Sequence, residues 1–136
     1  MIFLEMISGK VRRALSRRSA TAVRGERLVA RYLKQRGYRV LATNVRFGHG
    51  EIDIVAEAPD RRTIAVVEVK SCAARHAARP PEIRVNQAKR QRLVSLATAL
   101  VRRHGLTRRP VRFDVAGVDL EDAVVRYHAG AFESHV

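Results

Sequence analysis

Two apolar runs rich in β-branched residues and separated by a short polar segment are the clearest local pattern in the chain. The first is Gly50–Ala56 and the second is Thr63–Lys70, and both have the composition of β-strands. The segment between them contains Pro59, which presets a turn φ, and Asp60, which hydrogen-bonds its own local backbone in turns. The pattern therefore predicts a β-hairpin.

The predicted hairpin carries an unusual number of charged side chains on one face. Alternation along each strand puts Glu51 and Asp53 on one face of the first strand, and Glu68 and Lys70 on one face of the second. A turn centred on the Pro-Asp pair would place Glu51 opposite Glu68, with Asp53 diagonal to Glu68. Carboxylates at such short distances repel one another unless protons or cations lie between them. A divalent metal with oxygen ligands, supplemented by Lys70, is the simplest solution.

An ordinary solvated strand face with scattered charges is the alternative interpretation of this hairpin. Val55, Ile64 and Val66 lie on the same predicted face as the carboxylates, so that face is not simply a polar surface. The spacing therefore favours a functional site, because clustered carboxylates with altered pKa values mark such sites.

Residues Ala20–Arg36 have the periodicity of an amphipathic helix, and Gly37 stands where a left-handed C-cap is expected. Glu26 falls within the apolar stripe of this helix, where an isolated carboxylate is costly unless it is paired or bound to a metal. A second interpretation fits the pattern equally well: Glu26 lies at the edge of the stripe and pairs with Arg27 or Arg31. The other stripe positions are Ala22, Val29, Ala30 and Leu33.

A second long helix is predicted from about Arg84 to His104, ending at Gly105. Projection of its apolar stripe back to the helix start brings Lys89 into line with the buried face. An alternative that is at least as common is a lysine at the edge of the stripe, whose stem packs on apolar surface while its ammonium group reaches water. The stripe consists of Leu93, Leu96, Ala97, Leu100 and Val101.

The remaining segments complete an α/β arrangement. Arg39–Phe47 is predicted to be a strand, followed by a turn at 48–50, and the segment 71–81 is predicted to be a mobile loop beside the site. Two further strands are predicted at Val111–Val118 and Val124–His128. The order helix, three strands, helix, two strands predicts a mixed sheet covered by helices.

Composition makes nucleic acid the leading expected partner. The 136-residue chain is 46% hydrophobic, which is typical of a globular protein, and it has a net charge of +14. Only four of its 27 basic residues are lysines, so arginine dominates. Such a charge attracts polyanions through counterion release, although a codon-usage bias toward arginine is an alternative origin.

The first part of the chain is already rich in basic residues. Residues 1–19 are predicted to form a basic flexible arm, and residues 20–136 a single domain. The segment 1–19 lacks the apolar core of a secretory signal, and no stretch is apolar enough to cross a membrane. Cys72 is the only cysteine, which excludes an internal disulfide and favours a cytoplasmic location.

Nine short motifs together resemble the YraN family of predicted endonucleases, which is similar to the Holliday-junction resolvases of the PD-(D/E)XK superfamily. The resemblance covers roughly residues 20–133, and its most specific parts are the Gly-Glu-Ile-Asp and Glu-Val-Lys motifs. The motifs are Gly25-Glu26, Tyr32-Leu33, Gly37-Tyr38, Asn44-Val-Arg46, Gly50-Glu-Ile-Asp53, Val67-Glu-Val-Lys70, Lys89, Arg112-Phe-Asp114 and Ala131-Phe132.

This resemblance implies a restriction-endonuclease-like core and a particular set of site residues. Asp53 and Glu68 would bind Mg²⁺ or Mn²⁺, Lys70 would help to activate water or stabilise charge, and Glu26 would complete the site. Glu51 is an auxiliary ligand or a structural acceptor for an arginine, and Lys89 is a further auxiliary residue. Cys72 stands where the family usually has a basic residue.

The expected function is a Mg²⁺-dependent endonuclease acting on DNA, including branched or junction DNA, with a homodimer suggested by the two cuts that a four-way junction needs. Two alternatives remain at this point. One is a non-catalytic basic nucleic-acid-binding protein that retains the nuclease fold. The other is a ribosome-associated basic protein, which would need the charge but not the carboxylates.

Overall fold

A computed structural model describes residues 19–47, 50–72, 86–105 and 108–132 of the chain. The predicted basic arm therefore lies outside the described residues except for Ser19. The predicted turn at Gly48-His49, most of the loop 71–81 and the expected start of the second helix at Arg84 also lie outside them.

Five strands form one mixed sheet in the order β1-β2-β3-β4-β5. The β3–β4 pair is parallel, and the other three pairs are antiparallel. Within the described residues, one helix precedes β1 and one lies in the β3–β4 crossover, and this architecture confirms the predicted α/β mixed sheet flanked by helices. The elements are α1 (Ala20–Gln35), β1 (Arg39–Phe47), β2 (Gly50–Glu57), β3 (Ile64–Cys72), α2 (Gln87–Arg103), β4 (Val111–Asp119) and β5 (Val124–Phe132).

Both helices begin and end at residues suited to capping. The Ser19 hydroxyl accepts a hydrogen bond from the Ala22 N–H at 3.1 Å, and the Asn86 side chain caps α2 in the same way. Gly37 follows α1 with φ +86°, and Gly105 follows α2 with φ +67°. These left-handed positions are the ones that the sequence predicted for glycine, because a Cβ there would be strained.

The two helices cover opposite faces of the sheet. Consecutive residues of a strand point to opposite faces, and Val66 and Val67 of β3 accordingly belong to two different hydrophobic core clusters. On the face of Val67, α1 packs through Val29 and Leu33. On the face of Val66, α2 packs through Leu93, Leu96, Ala97 and Leu100. Burial on both faces explains why the central strands are apolar almost throughout.

The β2–β3 hairpin has a different register from the one that the sequence predicted. The ladder pairs Ile54 with Val67 and Glu57 with Ile64, so its continuation places Asp53, rather than Glu51, opposite Glu68. The prediction of a Glu51–Glu68 pair was therefore wrong. The shift moves the partner by two positions, which leaves every side chain on its predicted face.

The turn itself accounts for the shifted register. Ala58 donates its N–H to the Thr63 carbonyl at 2.9 Å, which closes a loop of four residues. Arg61 adopts a left-handed conformation with φ +59°. Asp60 accepts hydrogen bonds from the N–H groups of Arg62 and Thr63 and from the Thr63 hydroxyl. The centre of the hairpin consequently lies between Asp60 and Arg61, one residue later than predicted.

A buried ion pair joins β4 to the end of α1 and to β5. Asp114 is buried and accepts two hydrogen bonds from Arg112, one to each carboxylate oxygen, both at 2.8 Å. Tyr127 donates to Asp114 at 2.5 Å, and Arg112 donates to the Tyr38 hydroxyl at 2.6 Å. Burial, followed by the Asp114 charge, raises the pKa of Tyr127, so the phenol remains a neutral donor. The Arg-Phe-Asp motif therefore has a structural role.

Asp114→Asn should lower the free energy of unfolding by about 2–4 kcal/mol, because it leaves the half-buried Arg112 guanidinium without its carboxylate. Urea denaturation followed by circular dichroism measures the change. Glu121→Gln, at an exposed acidic position in the β4–β5 turn, is the matched control and should change stability by less than about 0.5 kcal/mol. Equal effects of the two substitutions would show that the buried pair contributes nothing specific.

Candidate metal centre

Asp53 is held at the point where β2 and β3 stop pairing. The ladder between the two strands extends only from Glu57↔Ile64 to Ile54↔Val67. At the next position the Asp53 carboxylate takes the place of a backbone acceptor and receives the Val69 N–H at 2.8 Å. This bond fixes the orientation of the side chain.

Helix α1 brings Glu26 to the same place. Its neighbour Gly25 lies so close to β3 that a Cβ on it would collide with the Ser71 hydroxyl, so a glycine is needed for this approach. Glu26 is 4% exposed, which agrees with its predicted place in the buried stripe. Carboxylate oxygens of Glu26, Glu51 and Asp53 all lie within 4.8 Å of one another. A helix and a strand thus converge on one group of three carboxylates, called the acidic cluster below.

The acidic cluster could hold a metal ion. Its donors are all carboxylate oxygens, which are the ligands preferred by hard divalent cations such as Mg²⁺ and Mn²⁺. Three anionic groups this close repel one another, and burial of Glu26 increases the cost of its charge. A bound divalent cation would offset both costs, so the residues present fit such an ion.

Glu68 lies in a separate arrangement with two lysines. It is 5% exposed, and its Oε1 forms an ion pair with Lys89 Nζ from the first turn of α2. Lys70 Nζ lies 3.7 Å from the same oxygen. The structure therefore brings Glu68, Lys70 and Lys89 together, whereas the sequence grouped Glu68 with Asp53 as a metal ligand.

The two lysines differ in their proton affinity. Burial, followed by the neighbouring Lys89, lowers the pKa of Lys70. Burial is the largest single influence on Lys89 and acts against its charged form, but the hydrogen bonds to Glu68 and Lys70 and the charges of Glu68 and Asp53 together outweigh it and raise the pKa of Lys89. Lys70 is consequently the more readily deprotonated of the two, a property expected of a lysine that takes part in proton transfer.

A pocket of about 400 Å³ opens between the β1–β2 end of the sheet and α2, and it contains both acidic cluster residues from β2. Arg46 from β1 and Arg92 from α2 add positive charge to its wall, and Arg46 Nε lies 3.7 Å from Glu51 Oε2. Gly50 lies against Leu96, where a Cβ would collide with the leucine side chain. The lining residues are Arg46, Gly50, Glu51, Asp53, Glu68, Lys89, Arg92, Leu93 and Leu96.

All six residues singled out from the sequence lie in these two adjacent groups, but the division between the groups was not predicted. The pocket also contains Arg92, which sequence analysis did not identify because nothing in a helical arginine indicates which wall it faces. In the sequence, Arg46 stood out only as part of the Asn-Val-Arg motif. Its position on β1, the strand adjacent to the one that carries Glu51 and Asp53, is the feature that could have identified it as a pocket residue.

Fold and site together define an α/β protein with a five-stranded mixed sheet and a partly buried acidic cluster at a pocket that also carries arginines. The model of the uncharacterised protein family UPF0102 matches residues 25–118, which include the acidic cluster, Glu68, Lys70 and Lys89. The chain belongs to the UPF0102 family. This membership confirms the resemblance to the YraN family drawn from the sequence.

Several bacterial UPF0102 proteins are similar to the chain over most of their length. The protein from Pelobacter propionicus is 37% identical over 116 residues, covering 83% of this chain and 82% of the relative. The protein from Symbiobacterium thermophilum is 42% identical over 105 residues, covering 77% and 85%. That from Alkaliphilus metalliredigens is 40% identical over 109 residues, covering 79% and 93%. Within the described residues, no helix is long and apolar enough to span a membrane.

Proposed function

We propose that this protein is a Mg²⁺- or Mn²⁺-dependent endonuclease that acts on DNA, with a restriction-endonuclease-like catalytic domain. The observation that supports the proposal most strongly is the convergence of three carboxylates within 4.8 Å beside Lys70, a partly buried lysine with a lowered pKa. Oxygen ligands for a divalent cation together with a nearby ammonium are suited to hydrolysis of a phosphodiester, because both stabilise the negative charge that develops on the phosphate.

Each site residue has a distinct role in this proposal. When bound, the divalent cation would lower the pKa of a water ligand and offset negative charge on the phosphate. Asp53, held by the Val69 N–H, and Glu68, from the facing strand, would be the principal ligands. Glu26 and Glu51 complete the oxygen set from α1 and β2. Lys70 supplies positive charge beside the phosphate and accepts or donates a proton there.

The charge of the chain supports nucleic acid as the substrate. A net charge of +14 favours polyanion binding, and Arg46 and Arg92 place guanidinium groups at the pocket that contains Asp53 and Glu68. Guanidinium groups suit phosphate contacts because of their planar donor geometry. Branched DNA cut by a homodimer is the form of substrate and assembly that the resolvase resemblance suggests.

A non-catalytic nucleic-acid-binding protein that retains the nuclease fold is the second candidate. The observation in its favour is that Lys70 and Lys89 already neutralise Glu68. Against it, the acidic cluster stands beside the arginines that would contact phosphates, and a surface used only for binding gains nothing from carboxylates there.

Incubation of the purified protein with duplex, single-stranded and four-way-junction DNA distinguishes these functions. We expect cleavage with Mg²⁺ or Mn²⁺, no cleavage with EDTA, and no cleavage by an Asp53→Asn variant purified in parallel. The parallel variant identifies any contaminating nuclease, because a contaminant would be unaffected by the substitution. Salt-dependent binding without cleavage of any substrate would support the non-catalytic candidate instead.

Arg92→Met should weaken DNA binding and reduce the slope of log K against log salt by about 1, because it removes one phosphate contact. Fluorescence anisotropy at several salt concentrations measures both quantities. Arg102→Met, near the end of the same helix and absent from the residues lining the pocket, is the control for general loss of charge. Equal slopes for the two variants would contradict a specific role for the pocket in binding.

A further inference from the structure

We propose that Lys89 is an internal cation that holds Glu68 in the metal-free protein and leaves it when a divalent cation binds. Lys89 would then be a positioning residue that couples the occupancy of the metal site to the conformation of the pocket. This inference rests on the proposed function, because it requires that Glu68 becomes a metal ligand.

The contact between α2 and β3 provides the first argument. Lys89 Nζ is in direct contact with Glu68 Oε1, and Glu68 is 5% exposed. A buried carboxylate needs a compensating charge, so an ammonium at this position stabilises Glu68 without a metal. The same ammonium occupies space beside the oxygen that a metal would use. Metal binding through Glu68 Oε1 would therefore require this contact to be broken.

Repulsion between the lysines indicates that the contact can be broken. Lys70 Nζ lies 3.7 Å from the oxygen that Lys89 contacts, so two positively charged groups lie close together at Glu68. A divalent charge held by Asp53, directly opposite Glu68, would add to this repulsion and displace one lysine.

The geometry identifies Lys89 as the lysine that leaves. Lys70 belongs to β3 and is paired through the backbone with Gly117 of the neighbouring strand. Lys89 lies in the first turn of α2, and its side chain is more exposed, 36% against 29% for Lys70. A lysine side chain has a flexible stem of four carbons, so the Lys89 ammonium can move away from Glu68 without a change in the helix.

The pocket provides a place for the displaced ammonium. Lys89 lines the same pocket as Arg46 and Arg92. After leaving Glu68, the Lys89 ammonium joins these two guanidinium groups and faces a phosphate in the pocket. Binding of the metal and binding of the phosphate thereby favour each other, because each stabilises the conformation in which Lys89 is turned away from Glu68.

Calorimetric titration of Mn²⁺ into the full chain without DNA tests the inference. If Lys89 occupies Glu68 nearly all the time, Lys89→Met should tighten Mn²⁺ binding roughly tenfold by removing the competing conformation. Arg92→Met, which removes one positive charge from the same pocket, should tighten it by less than about threefold. Equal tightening by both variants, or weaker binding by Lys89→Met, would overturn the inference.

Thermal unfolding gives a second readout that a merely structural contact would not produce. Lys89→Met should melt below the native protein without metal, and saturating Mn²⁺ should raise its melting temperature by more than it raises that of the native protein. Lys89→Gln, which retains a hydrogen-bond donor, serves the same purpose if the methionine variant does not fold. A deficit that Mn²⁺ does not reduce would make Lys89 purely structural. Failure of the native protein to bind Mn²⁺ would overturn both this inference and the proposed function.

Discussion

Lys70→Ala should leave the affinity for DNA within about twofold of the native value and reduce metal-dependent cleavage by roughly 10²–10³-fold. The large effect is expected because Lys70 lies partly buried beside Glu68, where we propose that charge develops in the transition state. The small effect on binding is expected because Lys70 is one of 27 basic residues. Single-turnover cleavage and fluorescence anisotropy measure the two quantities separately.

Lys70→Arg is the stricter version of this experiment. A guanidinium keeps the positive charge but is wider than an ammonium and remains protonated at all accessible pH values. It should preserve DNA binding without restoring cleavage. Cleavage that survives Lys70→Ala undiminished would place the active site elsewhere or indicate a contaminating nuclease.

Asp53→Asn should abolish detectable Mn²⁺ binding and reduce cleavage to background. The amide keeps the shape of the carboxylate, and its oxygen can still accept the Val69 N–H, so the local structure should remain. Removing one of three mutually repelling charges should leave the metal-free protein as stable as the native one, or slightly more stable. Calorimetry and thermal unfolding measure the two properties.

The matched control is Glu57→Gln, at the other end of the same strand. Glu57 pairs with Arg109 at 2.7 Å and lies outside the acidic cluster, so its replacement should leave Mn²⁺ binding unchanged. A clear fall in the melting temperature of metal-free Asp53→Asn would identify Asp53 as a structural acceptor of the Val69 N–H rather than a metal ligand.

Much of the fold could be predicted because its determinants are local. Gly37 and Gly105, which adopt left-handed conformations, marked the ends of the helices in the sequence, and the apolar runs predicted the five described strands. The last strand continues to Phe132 rather than ending at His128, because Phe132 stacks on Phe113 across the sheet at 5.0 Å. Such a cross-strand contact leaves no trace in local periodicity.

The site was predicted less completely because its geometry depends on distant contacts. Alternation alone placed Glu51 and Asp53 on one face, but the hairpin register depended on the left-handed conformation of Arg61. No sequence pattern requires that conformation in an arginine. Likewise, the Glu68–Lys89 contact depends on how α2 packs across the sheet, which the helical stripe indicated only approximately.

Location of Mn²⁺ by anomalous X-ray scattering from a crystal of the native protein soaked in the ion tests the central claim most directly. We expect a single strong peak bonded to the Asp53 carboxylate, with Glu68 as a second ligand and Lys89 turned away from Glu68. Peaks confined to other acidic groups, with Lys89 still paired to Glu68 at saturating Mn²⁺, would contradict the claim.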